Sequence, residues 1–167
     1  HQSNGRSRPL SRSWNSIVAN IGLERENFIF VNDNFGLQFK TWYRFPEDSM
    51  NDDNPDLTRY MGYGEIWATY ILDKQRFALM LRNNLRRNNL GAVQVDWSIP
   101  PITLGILGRR LFGPVLPDCA LKYFSEEYLT DKFSFYIQYF NGYGEGLMDY
   151  NKSINRISAG IMLAEWN

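Results

Sequence analysis

Alternation with a period of two dominates this chain. In GLQFKTWYRF, residues 36–45, Leu37, Phe39, Thr41, Tyr43 and Phe45 share one face while Gln38, Lys40, Trp42 and Arg44 share the other, because successive strand side chains point to opposite sides of a sheet. Residues 91–99 repeat the pattern, with Val93, Val95, Trp97 and Ile99 against Gln94, Asp96 and Ser98. In 77–85, Phe77, Leu79, Leu81 and Leu85 oppose Ala78, Met80, Arg82 and Asn84. Weaker alternation runs through 14–21, 63–72, 132–140 and 156–166. Seven strands and no long helix are therefore predicted.

The connections have a rhythm of their own. ENF after Arg25 and DKQR at 73–76 are short, PEDSMNDDNPD at 46–56 is long and acidic, and GEGLMDYNKS at 144–153 is an intermediate polar loop. Strands of about ten residues with one apolar face, joined by short turns on one side and longer loops on the other, are the sequence form of a transmembrane β-barrel. A soluble β-sandwich also alternates, so periodicity alone leaves both architectures open. Residues 100–131 break the rhythm where a short turn is expected; their Gly and Pro content opposes a strand, and ALKYFSEEYL suits a short helix. This stretch reads as an enlarged turn insertion without chemistry of its own.

Composition narrows the choice of partners. Across 167 residues Lys and Arg balance Asp and Glu, 18 against 18, which removes the basic footprint that a nucleic-acid binder needs. No apolar run approaches the ~18 residues of a membrane helix. The lone Cys119 allows neither an internal disulfide nor a zinc cluster. Neither a start Met nor a signal peptide precedes His1, and the chain is expected to be a fragment or a processed product.

Candidate chemistry begins at the first residue. His1 and Ser3 stand two apart, a spacing that on a strand places side chains on one face ~6–7 Å apart. A hairpin with its loop at about residues 4–13 would bring Asn15 opposite His1. The trio then offers a serine nucleophile, an imidazole base and a carboxamide that fixes the imidazole tautomer. A neutral third member suits a site facing lipid, where a carboxylate is costly to desolvate. By itself, H-x-S is a weak motif.

The wider set of motifs is more specific. HQSNGRS, SRSWN, DDNPDLTRYMGYGE, FNGYGEGLMDYN and RISAGIMLAEW together closely resemble the outer membrane phospholipase A family of Gram-negative bacteria, over nearly the whole chain except 100–131. The resemblance implies a twelve-stranded antiparallel transmembrane β-barrel. This all-β chain would be its C-terminal part, a single domain over 1–167 with about seven strands and a stub, lacking the N-terminal strands. It further implies a catalytic triad of Ser3, His1 and Asn15 on the lipid-facing wall, with the Gly5 N–H in the oxyanion hole. Calcium would be bound by the Arg6 carbonyl and the Ser11 hydroxyl, oxygen donors that suit a hard cation. The implied enzyme is a calcium-dependent, homodimeric phospholipase of the bacterial outer membrane, acting on phospholipids and lysophospholipids.

Two departures from the family pattern stand out. Arg8 occupies the place of an acidic contributor to a second calcium site, whereas Asp53 matches the other contributor, which puts that second site in doubt. The chain ends on Trp166 and Asn167, where family members usually finish on an aromatic. The rival readings are a porin-like or structural barrel with a vestigial motif, and a soluble sandwich binding ligands through its aromatics.

Overall fold

A computed structural model describes residues 14–45, 52, 54–83, 85, 88, 90–101, 103 and 133–163. Seven strands form one sheet: β1 (Ser16–Glu26), β2 (Asn34–Arg44), β3 (Gly64–Leu72), β4 (Gln75–Arg82), β5 (Ala92–Ile99), β6 (Phe133–Gly142) and β7 (Ile154–Leu163), with a short helix α1 (Leu57–Met61) between β2 and β3. Spatial order follows chain order and every neighbouring pair is antiparallel. The sheet is an up-and-down meander with β1 and β7 at its two edges. No helix among the described residues is long and apolar enough to cross a membrane.

All seven expected strands exist, with shifted limits. β1 runs on to Glu26 rather than stopping at 21: Leu23 and Arg25 pair with Leu37 and Phe35, and Glu24 and Glu26 with Gly36 and Asn34, so the charges that resemble a turn continue the alternation. β4 stops at Arg82 rather than 85, since Leu85 has φ of 55°, a left-handed conformation that no ladder accommodates. The helix over 57–61 follows the acidic loop and was not part of the expected pattern. The proposed short helix in ALKYFSEEYL lies outside the described residues.

The two faces of the sheet differ in chemistry. One exposes Ile17, Ile21, Leu23, Leu37, Phe39, Tyr43, Ile66, Leu79, Leu81, Val95, Ile137, Ile157, Ile161 and Leu163, an apolar wall built by one parity in each strand. The opposite parity is filled. Met80, Ala92 and Phe140 form a small core with Trp67 and Ile154 against them. Next to it Asp96, 5% exposed, accepts hydrogen bonds from Gln94 Nε2 at 2.9 Å, Tyr136 Oη at 2.9 Å and Gln138 Nε2 at 3.1 Å. A buried carboxylate is tolerable when several donors replace its water. Apolar outside and polar inside is the arrangement of a transmembrane barrel wall, and reverses that of a soluble domain.

The two ends of the sheet differ as well. At one end β3 and β4 are joined through Asp73 and Lys74, with φ of 47° and 64°, the two-residue turn whose twist matches that of the strands. The β1–β2 turn lies at this same end and is closed by Asp33, whose carboxylate accepts the N–H groups of Phe28, Ile29 and Phe30 and the Tyr70 hydroxyl. Desolvation pushes the Asp33 carboxyl upward, but these four donors outweigh it and hold it at about 2. Because the folded value is depressed, the contribution of Asp33 to stability is complete above its ordinary 3.8 and is lost as pH falls through about 2. A carbon-13 titration of the Asp33 carboxyl should find its midpoint near 2, and Tyr70→Phe should move that midpoint up toward 3.8. An unshifted midpoint in the parent protein would contradict the bracing described.

At the opposite end the longer connections pack on one another. Leu57 and Asn54 are fully buried, Arg44 pairs with Asp52 and donates to the Asn54 carbonyl at 2.7 Å, and the Tyr150 hydroxyl bonds Asp56. Tyr60 packs between Tyr143 and Tyr150, with ring centroids 5.3 and 5.6 Å away. Arg82 joins this cap to the barrel interior: its Nη1 donates to the Gly144 carbonyl at 2.9 Å, and its Nε lies 3.4 Å from Glu65. Lys40 approaches the same carboxylate at 3.5 Å. Gly144, with φ of 70°, holds a left-handed conformation that would strain any side chain, and a Cβ there would stand 2.7 Å from that Arg82 nitrogen and displace it.

Candidate functional site

Asn15 is the member of the expected site that the structure describes. Its carbonyl accepts the Phe45 N–H at 2.9 Å, which carries the β1–β2 register one step past Ser16↔Arg44. Parity then puts Asn15 on the same face as Ile17, Ala19 and Ile21, the apolar wall. The preceding residue turns the other way: Trp14 packs edge-on against Trp42, centroids 6.2 Å apart. Trp42 is itself 5% exposed and donates through Nε1 to the Gly62 carbonyl at 3.0 Å. An indole anchored inward at 14 obliges the extended backbone to direct position 15 outward.

Asn15 is therefore an exposed carboxamide at the loop-bearing rim, set in an apolar field. Around it lie Ile17, Tyr43 and Phe45, 61%, 62% and 43% exposed, the two rings meeting edge to face at 5.8 Å. A carboxamide thus borders an exposed apolar surface at the rim. The alternation along the chain carries the signal for that surface, since Tyr43, Phe45 and Ile17 share the outward parity.

His1, Ser3, Gly5, Arg6 and Ser11 lie outside the described residues, as do Arg8 and Asp53. Among the described residues no group of three His, Cys, Asp or Glu gathers as a metal cluster. The donors expected of Arg6 and Ser11, one carbonyl and one hydroxyl oxygen, are of the kind that suits a hard divalent cation.

Sequence reasoning did not anticipate the parts that hold this rim in place. Arg82, Glu65 and Lys40 stand on three adjacent strands, and Tyr150 reaches Asp56 across 94 positions; no local pattern couples residues so far apart. Near the same rim a cleft of about 720 Å³ is lined by Phe39, Ile66, Leu81, Val93, Tyr63 and Tyr143.

Comparison with known proteins agrees with this architecture. The family model described as phospholipase A1 matches residues 1–163. Phospholipase A1 of Salmonella typhimurium is 31% identical over 163 residues, 98% of this chain and 43% of that protein. Among solved structures, outer membrane phospholipase A from Escherichia coli superposes with a TM-score of 0.66 at 27% identity, covering 96% of this chain and 49% of that one. The calcium-bound outer membrane phospholipase dimer of Salmonella typhi gives 0.64 at 28%, covering 96% and 48%. The chain spans between 34% and 43% of the length of the curated relatives it matches. With its sheet order, outward apolar parity and near-complete match to the family model, this chain belongs to the phospholipase A1 family of outer-membrane β-barrel proteins.

Proposed function

We propose that this chain forms the site-bearing part of a calcium-dependent outer-membrane phospholipase that hydrolyses the acyl esters of phospholipids and lysophospholipids. The observation that carries the reading is the position of Asn15: a carboxamide on the lipid-facing wall, at the loop rim, among apolar side chains. The inner face is packed with hydrogen-bonded side chains around Asp96, an arrangement that supports an enzyme wall over a cleared pore.

In this mechanism the Ser3 hydroxyl oxygen attacks the ester carbonyl carbon while the His1 imidazole takes the hydroxyl proton. Asn15 accepts the other imidazole N–H and fixes the tautomer; being neutral, it stabilises the imidazolium less than Asp would. The Gly5 N–H donates to the tetrahedral oxyanion. Collapse breaks the ester C–O bond, and His1 gives its proton to the leaving glycerol oxygen. A water then attacks the acyl-serine by the same route and releases the fatty acid. The Arg6 carbonyl and the Ser11 hydroxyl would hold calcium, which would supply positive charge to polarise water and so help stabilise the oxyanion. A partner subunit of the full-length protein, through a position upstream of His1, would complete the cation's coordination, which links activity to dimerisation. The chain is one barrel domain; its remaining strands would close the wall, and residues 100–131 form an insertion at the short-turn end.

Labelling of the full-length protein by a sulfonyl fluoride tests the assignment directly. The adduct should map to Ser3 by peptide mass spectrometry, and a porin-like barrel would give no adduct there. Asn15→Ala should lower kcat roughly 10- to 100-fold, the scale of losing a hydrogen bond worth about 1–3 kcal/mol in a desolvated site. A silent Asn15→Ala with unchanged calcium dependence would remove Asn15 from the site.

A further inference from the structure

The connection between β1 and β2 reverses the usual chemistry of a surface turn. Phe28, Ile29, Phe30 and Val31 follow one another and all are exposed, Val31 at 80% and Ile29 at 63%. Turns in water are ordinarily rich in Gly, Pro, Asn, Asp and Ser, as in the Asp73–Lys74 turn at the same end of the sheet. Here the polar groups fold inward instead. The Asn27 N–H reaches the Asp33 carbonyl at 2.8 Å, and Phe28, Ile29 and Phe30 donate to the Asp33 carboxylate at 2.5, 2.9 and 2.9 Å. The Asn32 N–H reaches Asn27 Oδ1 at 2.8 Å. Asp33 is 2% exposed beneath them and tied to β3 through the Tyr70 hydroxyl at 2.7 Å.

Five N–H groups of the connection, those of Asn27, Phe28, Ile29, Phe30 and Asn32, find partners within it while large apolar side chains turn outward, which lowers the cost of placing it where water is scarce, at the boundary of head groups and acyl chains. The turn is also continuous with the apolar wall. Phe28 stacks on Phe35 with centroids 4.7 Å apart, and Phe35 shares the outward parity of Leu37 and Phe39. Arg25, the last outward residue of β1, holds its guanidinium 5.9 Å from the Phe28 ring centre. That position allows the cation to reach head groups while the ring stays among acyl tails.

We propose that Phe28–Val31 is a lipid-inserted anchor, which enters the boundary between head groups and acyl chains at the end of the barrel away from Asn15 and pins β1, the strand leading from the site, at a fixed depth. The inference rests on the reading of the outer face as lipid-facing, and the test separates the two. In full-length protein carrying Cys119→Ser, single cysteines at Ile29→Cys, Ile21→Cys and Lys74→Cys are labelled with an environment-sensitive fluorophore and reconstituted in phosphatidylethanolamine–phosphatidylglycerol vesicles. At position 29 the emission should shift to the blue, lose intensity with nitroxide-labelled lipids as at position 21, and resist aqueous iodide. Position 74 should instead lose its emission to iodide. Iodide quenching at 29 equal to that at 74 would overturn the anchor. Protection from iodide without nitroxide quenching would overturn it too, showing protein rather than lipid over the turn. If position 21 also escaped the nitroxide lipids, the lipid-facing wall itself would fail.

Discussion

Ser3→Ala in the full-length protein should reduce fatty-acid release from phospholipid micelles by on the order of 10⁴-fold or more, the scale seen when a hydrolase loses its nucleophile. The barrel should survive the change. One methyl replaces a hydroxymethyl, and the wall of the described residues is held by six antiparallel ladders. The heat-dependent shift of the folded band on gels and the far-ultraviolet circular dichroism spectrum should match those of the parent. Release retained within tenfold would refute the nucleophile; release lost together with the folded band would point to a structural role. The loss should fall on kcat, because the apolar field of Ile17, Tyr43 and Phe45 remains to receive the acyl chain.

Removal of calcium should have the second-largest effect. A chelator should lower kcat by roughly 10²–10³-fold, the range measured when an oxyanion donor is deleted. Added calcium should restore it, and magnesium should do so poorly, because that smaller ion gives up its waters reluctantly. The neutral third member of the proposed triad sharpens the expectation: Asn15 would not balance the imidazolium, so more of the developing charge would have to be met around the oxyanion. Ser11→Ala should raise the calcium concentration needed for half-maximal activity without changing thermal stability in the absence of calcium. Turnover that ignores the chelator would dismiss both the cation and its assignment to Arg6 and Ser11. Sedimentation of the protein in detergent, with and without calcium, would report the expected link to dimer formation.

The sequence carried much of this wall because a strand repeats every two residues. Phe39, Tyr43, Leu79, Val95 and Ile137 each follow from local parity, and the structure places all of them on one exposed face. What it carried less well was any place where charge and apolar character conflict locally. LERE at 23–26 looks like the beginning of a turn but belongs to β1, since Glu24 and Glu26 face inward where charge is tolerated. FIFV at 28–31 is wholly apolar yet forms a turn, because Asp33, further along the chain, gathers its amides. The cap at the loop rim was equally hidden. Nothing near Tyr150 announces Asp56, nor does anything near Arg82 announce Glu65 or Gly144.

The sequence by itself therefore determined the number of strands, the parity of the wall, the unequal connections at its two ends and the family, all of which depend on residues close together or on motifs of fixed spacing. The tertiary structure alone decided which face is packed and which is exposed, how Trp14 turns inward so that Asn15 turns outward, and how two acidic residues, Asp33 and Asp96, come to be buried among donors from other strands. The physical reason is the reach of the interactions. Alternation is set by the backbone of one strand, whereas the partners of a buried carboxylate are supplied by register between strands, and register is fixed only when the whole sheet has formed.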